Sequence, residues 1–287
     1  MIHSEASPAL VADHYDELDP FYRALWGEHL HHGYFETGRE RAEKAVEALI
    51  DLLAKRVGIP NGGRVIDIGC GYGATAAHLV RRLGADVTGI TLSSVQAAHA
   101  ARRAAVEPRL TLRGGDWLAN DLPDSAFDAA IAVESTEHMD DKARAFGEAF
   151  RVLRPGGRIG ICAWLAAEAP HPWKRRHLLE PICREGRLPG MGTEADYRTL
   201  LERNGFRDVE ILDISRAVQR TWTLCARRLA WALATQGAAR RFLLDSRARN
   251  RIFVMTLPRL ILAYRTGAMR YGIFTATRPA QGSQPAP

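Results

Sequence analysis

Short apolar runs, separated by stretches of helical periodicity, set the rhythm of the first half of this chain. In residues 39–57, Ala42, Val46, Leu49, Ile50 and Leu53 recur at the spacing of an amphipathic helix, which Gly58 and Pro60 then stop. Residues 64–68 read as a buried strand, 74–83 as a helix ended by Gly84, 86–90 as a strand and 93–105 as a helix. Residues 110–113 and 127–133 read as strands, 141–153 as a helix stopped by Pro155-Gly156-Gly157, and 158–163 as a strand. Such alternation predicts a mostly parallel sheet with helices on both faces.

After Trp164 the rhythm changes. Residues 171–184 and 194–204 look helical, 208–214 strand-like, and 221–244 and 256–269 like longer helices, before a strand at 271–277 rejoins the sheet edge. The expected organisation is an N-terminal lid of short helices (1–36), a cofactor-binding core (37–165), a substrate cap carrying the last sheet strands (166–278) and a disordered tail (279–287). The tail, rich in Pro, Gly, Ser and Gln, is the one low-complexity tract.

Composition narrows the class. With 287 residues, 46% apolar and 25% charged, the chain can bury a sizeable core. The N-terminal segment has neither a basic nor an apolar region, so no signal peptide is expected. No run reaches a membrane span; residues 256–276 come nearest and are broken by Arg259, Arg265 and Arg270. Cys70, Cys162, Cys183 and Cys225 match no zinc or redox spacing and read as reduced, buried thiols of a cytoplasmic protein.

The net charge of +6 is uneven: residues 216–270 hold twelve arginines and one acid, Asp245. Trp222, Cys225, Leu229 and Leu233 recur there at helical spacing beside Arg227, Arg228, Arg240 and Arg241, as in an amphipathic cap helix with a solvated face. Peripheral contact with an anionic membrane, or recognition of an acidic substrate group, would use the same charge. A nucleic-acid partner is not expected, because no basic-aromatic module accompanies it.

The chemistry centres on Val65–Gly73, an apolar strand running into a glycine turn that opens a helix. Glycines let backbone approach a ligand, and the helix start offers free N–H groups. Gly69, Gly71 and Ala74 satisfy a dinucleotide fingerprint, but the second strand ends Gly89-Ile90-Thr91-Leu92-Ser93, without the acid that a ribose would need. Asp67, two residues before Gly69, suits the ammonium of S-adenosylmethionine, and Gly73 completes a Gly-x-Gly-x-Gly turn. Thr91, Leu92 and Gln96 are then candidates for the ribose. Ser93 and Gln96 also read as a capping box, with Gln96 reaching back. Asp116 could accept from the adenine amino group, and Trp117 could line its slot. Glu134 opens the segment after the fourth strand, which faces the transferred methyl.

These residues resemble the class I methyltransferases, and among them the gamma-tocopherol methyltransferase-like group; sterol side-chain methyltransferases and cyclopropane fatty acid synthases are more distant. The resemblance runs from His14 to Pro279. It includes His14-Tyr15-Asp16, the segment from Leu25 to Phe35, Val65–Gly73, Gly89 to Gln96, Glu134 to Met139, Pro155 to Ile159, and Ala263 through Phe274. Gly115-Asp116-Trp117 departs from the tocopherol pattern toward the cyclopropane branch, which leaves the substrate class open.

The resemblance implies a Rossmann-like α/β fold: a seven-stranded, mostly parallel sheet with an antiparallel last strand, plus a helical cap. It implies transfer of a methyl group to a hydrophobic or aromatic small molecule in lipid, quinone or natural-product metabolism, at carbon. Methylation at oxygen or nitrogen is the alternative, as is a protein of this fold that catalyses cyclisation or no methyl transfer. Glu137 and His138 become candidates for proton removal, the carboxylate orienting the imidazole. His31 and His32 fall near the methionine carboxylate, with His32 a further catalytic candidate, and Tyr15 and Tyr34 close over the cofactor. No metal is expected, since the histidines at 29, 31 and 32 lack partners at ligand spacing. A homo-oligomer is compatible with the sequence.

Overall fold

The structure, a computed structural model, describes residues 2, 3, 7–25, 27–237, 240, 241 and 256–280. A two-residue strand β1 (Ile2–His3) precedes helix α1 (Pro8–Leu25) and α2 (Ala42–Val57). The core follows as β2 (Arg64–Ile68), α3 (Ala74–Leu83), β3 (Asp86–Thr91), α4 (Ser94–Ala104), β4 (Leu110–Gly114), β5 (Phe127–Val133), α5 (Lys142–Val152) and β6 (Leu153–Ala166). Next, α6 (Pro172–Lys174) passes through a π-turn into α7 (Glu180–Glu185), followed by β7 (Gly190–Met191), α8 (Glu194–Arg203), β8 (Arg207–Asp213) and α9 (Ser215–Val218). Helices α10 (Arg220–Thr235) and α11 (Leu257–Arg265) and strand β9 (Met269–Thr277) complete the described chain.

Seven strands form one sheet in the order β4-β3-β2-β5-β6-β9-β8. The pairs from β4 through β6 are parallel, and β9 is antiparallel to both its neighbours. From Val65 on, β2 is buried on both faces, which is why it reads as apolar apart from Asp67. One face packs Leu49, Leu53, Val65 and Leu79 against α2 and α3; the other packs Ile66, Ile68, Phe146, Tyr197 and Phe274 against α5 and α8. β1 pairs with β7, tying the N-terminus to the segment after α7.

Several expectations need correction. The N-terminal segment holds an 18-residue helix that runs through Pro20, in place of several short helices. The last strand does not rejoin the edge: β9 lies between β6 and β8, and β8 is the edge. The stop of α5 comes at Val152, and Leu153 through Gly157 already belong to β6, where they bulge from the register with β5 between Phe127 and Ala129. The 171–184 helix is divided by its π-turn. The 256–269 helix ends at Arg265, because Thr266 and Gly267 turn the chain into β9.

α10 has the amphipathic character expected of it. Trp222, Cys225 and Ala232 are buried, Arg227 is exposed, and Arg228 reaches Glu43 at 3.5 Å. The expected continuation to Leu244 and the tail from residue 281 lie outside the described residues. All four cysteines are buried and free. No described helix is long and apolar enough to cross a membrane.

Candidate active site

The loops carrying Gly69, Thr91, Asp116 and Glu134 leave the carboxyl ends of parallel strands, the rim where open α/β sheets hold ligands, while Tyr15, His31 and His32 come from α1 and the segment after it. The turn after β2 needs its glycines: φ is +77° at Gly69, +53° at Gly71 and +74° at Gly73. A Cβ on Gly69 would collide with the Cβ of Ser135, whose hydroxyl donates to the Ile68 carbonyl at 2.5 Å. The Gly69 and Cys70 N–H groups both donate to the Ile90 carbonyl at 2.9 Å, fixing the turn against β3.

These loops enclose a pocket of about 1030 Å³, counted with its open mouth. Its walls include Tyr15, His31, Asp67, Gly69, Gly71, Thr91, Leu92, Gln96, Asp116, Trp117 and Glu134, so most of the expected cofactor residues meet there. Gly73 instead caps α3 behind the turn.

Asp67 is 1% exposed, and its Oδ2 has no hydrogen-bond partner. Burial raises its carboxyl from the ordinary 3.8 to about 7. Such an orphan costs free energy unless a cation reaches it. An orphaned carboxylate beside a glycine cradle fits the ammonium end of S-adenosylmethionine.

Around that end the other walls are already fixed. Thr91 Oγ1 donates to Gln96 Oε1 at 3.0 Å, and Ser93 Oγ accepts from Gln96 N–H at 3.0 Å. The Gln96 side chain is therefore turned toward β3, and the reciprocal half of the capping box is not made. Asp116 accepts from Leu118 N–H at 2.9 Å, and Trp117 donates from Nε1 to the Ala145 carbonyl at 3.0 Å, which locks its ring in the pocket wall.

A second, inner cavity of about 570 Å³ lies behind the first. Tyr15, Leu30, Glu134 and His138 line both and form the partition. The inner walls add His14, Tyr22, His32, Glu137, Trp164 and Trp222, and among the described residues no lysine or arginine lines them.

Glu134 stands in the partition at φ +53°, a conformation that costs a non-glycine residue about 1–3 kcal/mol. Its Oε1 accepts from the His32 backbone at 2.7 Å, His32 Nδ1 at 3.0 Å and the Tyr271 hydroxyl at 2.6 Å. Its Oε2 accepts from Trp164 Nε1 at 2.6 Å. Burial pushes this carboxyl up, but His32 and Tyr271 outweigh it and hold it at about 2. Four donors leave little capacity for a ligand, so Glu134 ties the walls together and is a poorer cofactor ligand than its position in the sequence suggested.

His32 sits in a ring box, with centroids of Tyr271, Trp222, Trp164 and Tyr264 at 4.9, 5.1, 5.5 and 5.7 Å. It therefore faces the inner cavity, while His31 lines the outer one, hydrogen-bonded through Nδ1 to the His32 carbonyl at 2.8 Å. The adjacent histidines do not share one environment.

The expected pairing of Glu137 with His138 is not made. Glu137 accepts from the Trp164 backbone N–H at 2.5 Å and from Thr136 Oγ1 at 3.3 Å, and burial raises its carboxyl to about 7. His138 Nε2 meets the Tyr15 hydroxyl at 2.8 Å instead. Burial, then His14, lower His138 to about 3, so its imidazole is neutral in ordinary buffers. The physical reason for the mispairing is the short 3₁₀ turn Thr136–His138, which sends consecutive side chains in different directions.

Sequence reasoning also missed Trp164. It sits near the carboxyl end of β6, the same rim as the other strand-end loops, and that position was the available signal. Asp16 was missed as well: it accepts from Ser93 Oγ (2.5 Å), Ser94 Oγ (3.0 Å) and Val95 N–H (3.4 Å), pinning α1 to the start of α4. Among the described residues no group of three or more His, Cys, Asp or Glu side chains is arranged to hold a metal ion.

Residues 3–230 match the family model described as mycolic acid cyclopropane synthetase. The chain belongs to that family. It is 31% identical to the chloroplastic tocopherol O-methyltransferase of Arabidopsis thaliana, over 96% of this chain and 84% of the relative. It is 30% identical to the 27-O-demethylrifamycin SV methyltransferase of Amycolatopsis mediterranei (strain S699), over 96% and 99%. Among solved structures, the (4+2)-cyclase SpnF superposes with a TM-score of 0.80 at 30% identity, over 97% of this chain and 98% of that one. This member of the family is a class I S-adenosylmethionine-dependent methyltransferase with the Rossmann-like fold that the sequence implied.

Proposed function

We propose that this methyltransferase acts on an uncharged, hydrophobic small molecule bearing a hydroxylated aromatic or enolic ring, and places the methyl on a ring carbon. The observation that carries the proposal is the inner cavity: ring-walled, lined by no lysine or arginine among the described residues, and divided from the outer pocket by Tyr15, Leu30, Glu134 and His138. A phosphate or carboxylate would lose its hydration there without gaining a cation, whereas a flat ring packs well against His, Tyr and Trp faces.

Asp67 would hold the ammonium of S-adenosylmethionine, the Gly69–Gly73 backbone would make room for it, Thr91, Leu92 and Gln96 would meet the ribose, and Asp116 with Trp117 the adenine. Bound there, the cofactor supplies a methyl group on a sulfonium, which is electrophilic. His138 accepts the acceptor's hydroxyl proton in concert with methyl transfer, directly or through the Tyr15 hydroxyl, which stays protonated because burial raises it above the ordinary phenol value. As that proton moves, the ring gains nucleophilic character at oxygen and at the ring carbons ortho and para to it, and its growing acidity matches a base held at about 3. Glu134 lies near enough to favour the imidazolium that results. The ring-lined cavity aligns the acceptor, and alignment alone supplies about 7–11 kcal/mol in the best model reactions.

The test is turnover of matched acceptors by the purified protein with isotopically labelled S-adenosylmethionine. Hydroxylated prenyl-aromatic or polyketide rings should be methylated, and their phosphorylated or carboxylated counterparts should not. Turnover of only the anionic set would end the proposal. Methylation at oxygen is the second reading, because both full-length relatives bear names that refer to an oxygen position. The NMR shift of the new methyl separates the two. A product of unchanged mass would point to cyclisation, the activity named for the similar cyclase.

A further inference from the structure

Helix α7 ends in an unusual way. Gly186 donates to the Ile182 carbonyl at 2.9 Å, and Leu188 donates back to the Cys183 carbonyl at 2.9 Å. That second bond is the six-residue closure of a helix stop whose left-handed position is ordinarily glycine. Here the left-handed residue is Arg187, at φ +54°, while the glycine sits one place earlier. Both neighbours, Gly186 and Leu188, line the inner cavity. The strained turn points the Arg187 carbonyl at His138, whose Nδ1 lies 3.4 Å away.

A carbonyl only accepts, so Nδ1 of His138 carries the hydrogen. In a neutral imidazole Nε2 is then the bare nitrogen, and the Tyr15 hydroxyl donates to it across 2.8 Å. The base thus presents its lone pair toward Tyr15 and the partition between the two cavities. The opposite tautomer would leave the Arg187 carbonyl facing a lone pair and place a hydrogen where the acceptor's proton must go.

We propose that Arg187 is a positioning residue of this methyltransferase: its backbone carbonyl, delivered by the left-handed end of α7, fixes the tautomer and ring orientation of His138. The inference rests on the reading of His138 as the base, and its test separates the two. Nitrogen-15 NMR of histidine-labelled protein, with His138 assigned by comparison with His138→Gln, should show a protonated Nδ1 and a bare Nε2. The reverse tautomer in the wild-type protein would overturn the proposal, whatever the variants do.

Two substitutions extend the test. Arg187→Gly keeps the left-handed turn that delivers the carbonyl, so the single Nδ1-protonated tautomer should persist in it. Arg187→Val places a β-branched residue where φ is positive, so the carbonyl should move. Its kcat should fall by at least tenfold, with S-adenosylhomocysteine affinity unchanged and the single tautomer lost. That affinity also reports whether the valine variant is folded; if it is not, the wild-type tautomer and the glycine variant still decide. A His138→Gln variant with full activity would remove the underlying reading. An inactive His138→Gln beside a folded Arg187→Val of normal kcat and tautomer would remove this inference alone.

Discussion

Replacing Asp67 with asparagine should stabilise the protein without cofactor and weaken its grip on S-adenosylhomocysteine. In the wild type the Asp67 carboxyl is fully buried, one oxygen has no partner, and burial raises it from 3.8 to about 7. The folded state therefore holds the proton more tightly than the unfolded state. This contribution to stability is fully present below pH 3.8 and is lost as the pH rises through about 7. The rise spans about three tenfold steps in proton affinity, at about 1.4 kcal/mol each, so at pH 8 the penalty is at most about 4 kcal/mol. Asparagine carries no charge at any pH and escapes it.

Urea denaturation of the two apo proteins should give similar stabilities near pH 4 and a gap of up to about 4 kcal/mol in favour of the variant at pH 8. Calorimetry with S-adenosylhomocysteine should show the opposite ranking. Loss of a charge-assisted hydrogen bond, about 1.5–3 kcal/mol, weakens binding by roughly 10- to 200-fold. Wild-type affinity should also drop as pH falls below about 7, because the carboxyl must then release its proton to receive the ammonium. Equal stabilities at pH 8 would show that Asp67 is not a strained buried carboxylate. Unchanged affinity in the variant would show that it does not face the ammonium.

Four further outcomes are expected. His138→Gln should lower kcat by roughly 10²–10⁴ while S-adenosylhomocysteine affinity is retained; full activity would show that no base acts there. Glu134→Gln should destabilise the protein by about 3 kcal/mol at pH 7. The native Glu134 carboxyl is held at about 2 against an ordinary 4.5, so its contribution is present above pH 4.5, fades as pH falls through about 2, and the two denaturation curves should converge in acid. Gly69→Ala should lose most of its cofactor affinity, since φ is +77° and the new Cβ strikes Ser135; calorimetry reads this directly. Asp16→Ala removes three acceptor contacts at the start of α4, worth about 1 kcal/mol by analogy with helix caps, so stopped-flow release of S-adenosylhomocysteine should speed up severalfold.

The core was legible because local chemistry dictates it. Val65, Ile66 and Ile68 are apolar since both faces of β2 are covered, which makes Asp67 stand out among them, and Gly69, Gly71 and Gly73 occur where φ is positive. The strand order near the C-terminus was not legible. Nothing in Met269–Thr277 says whether it takes the edge or slips between β6 and β8; that depends on the long-range match with Arg207–Asp213. Side-chain pairing was the weakest part for a related reason. Glu137 and His138 are neighbours in sequence, yet their partners come from β6, α1 and the end of α7, which no local pattern encodes. His32 was picked out by its motif, but the four rings that enclose it come from residues 164, 222, 264 and 271.

A wall of the outer pocket and the hydroxyl that meets His138 belong to one element, α1. Within five residues of α1, Tyr15 reaches His138, Asp16 reaches the start of α4, and Asp19 accepts from the Tyr72 hydroxyl at 2.5 Å beside the glycine turn. Pro8 and Val11 of the same helix line the outer pocket. A displacement of α1 would therefore disturb that wall, withdraw Tyr15 from His138 and open the partition to the inner cavity together. An Asp16→Ala protein that releases product faster should also lose kcat/KM for the cofactor, even though Asp16 touches neither the inner cavity nor His138.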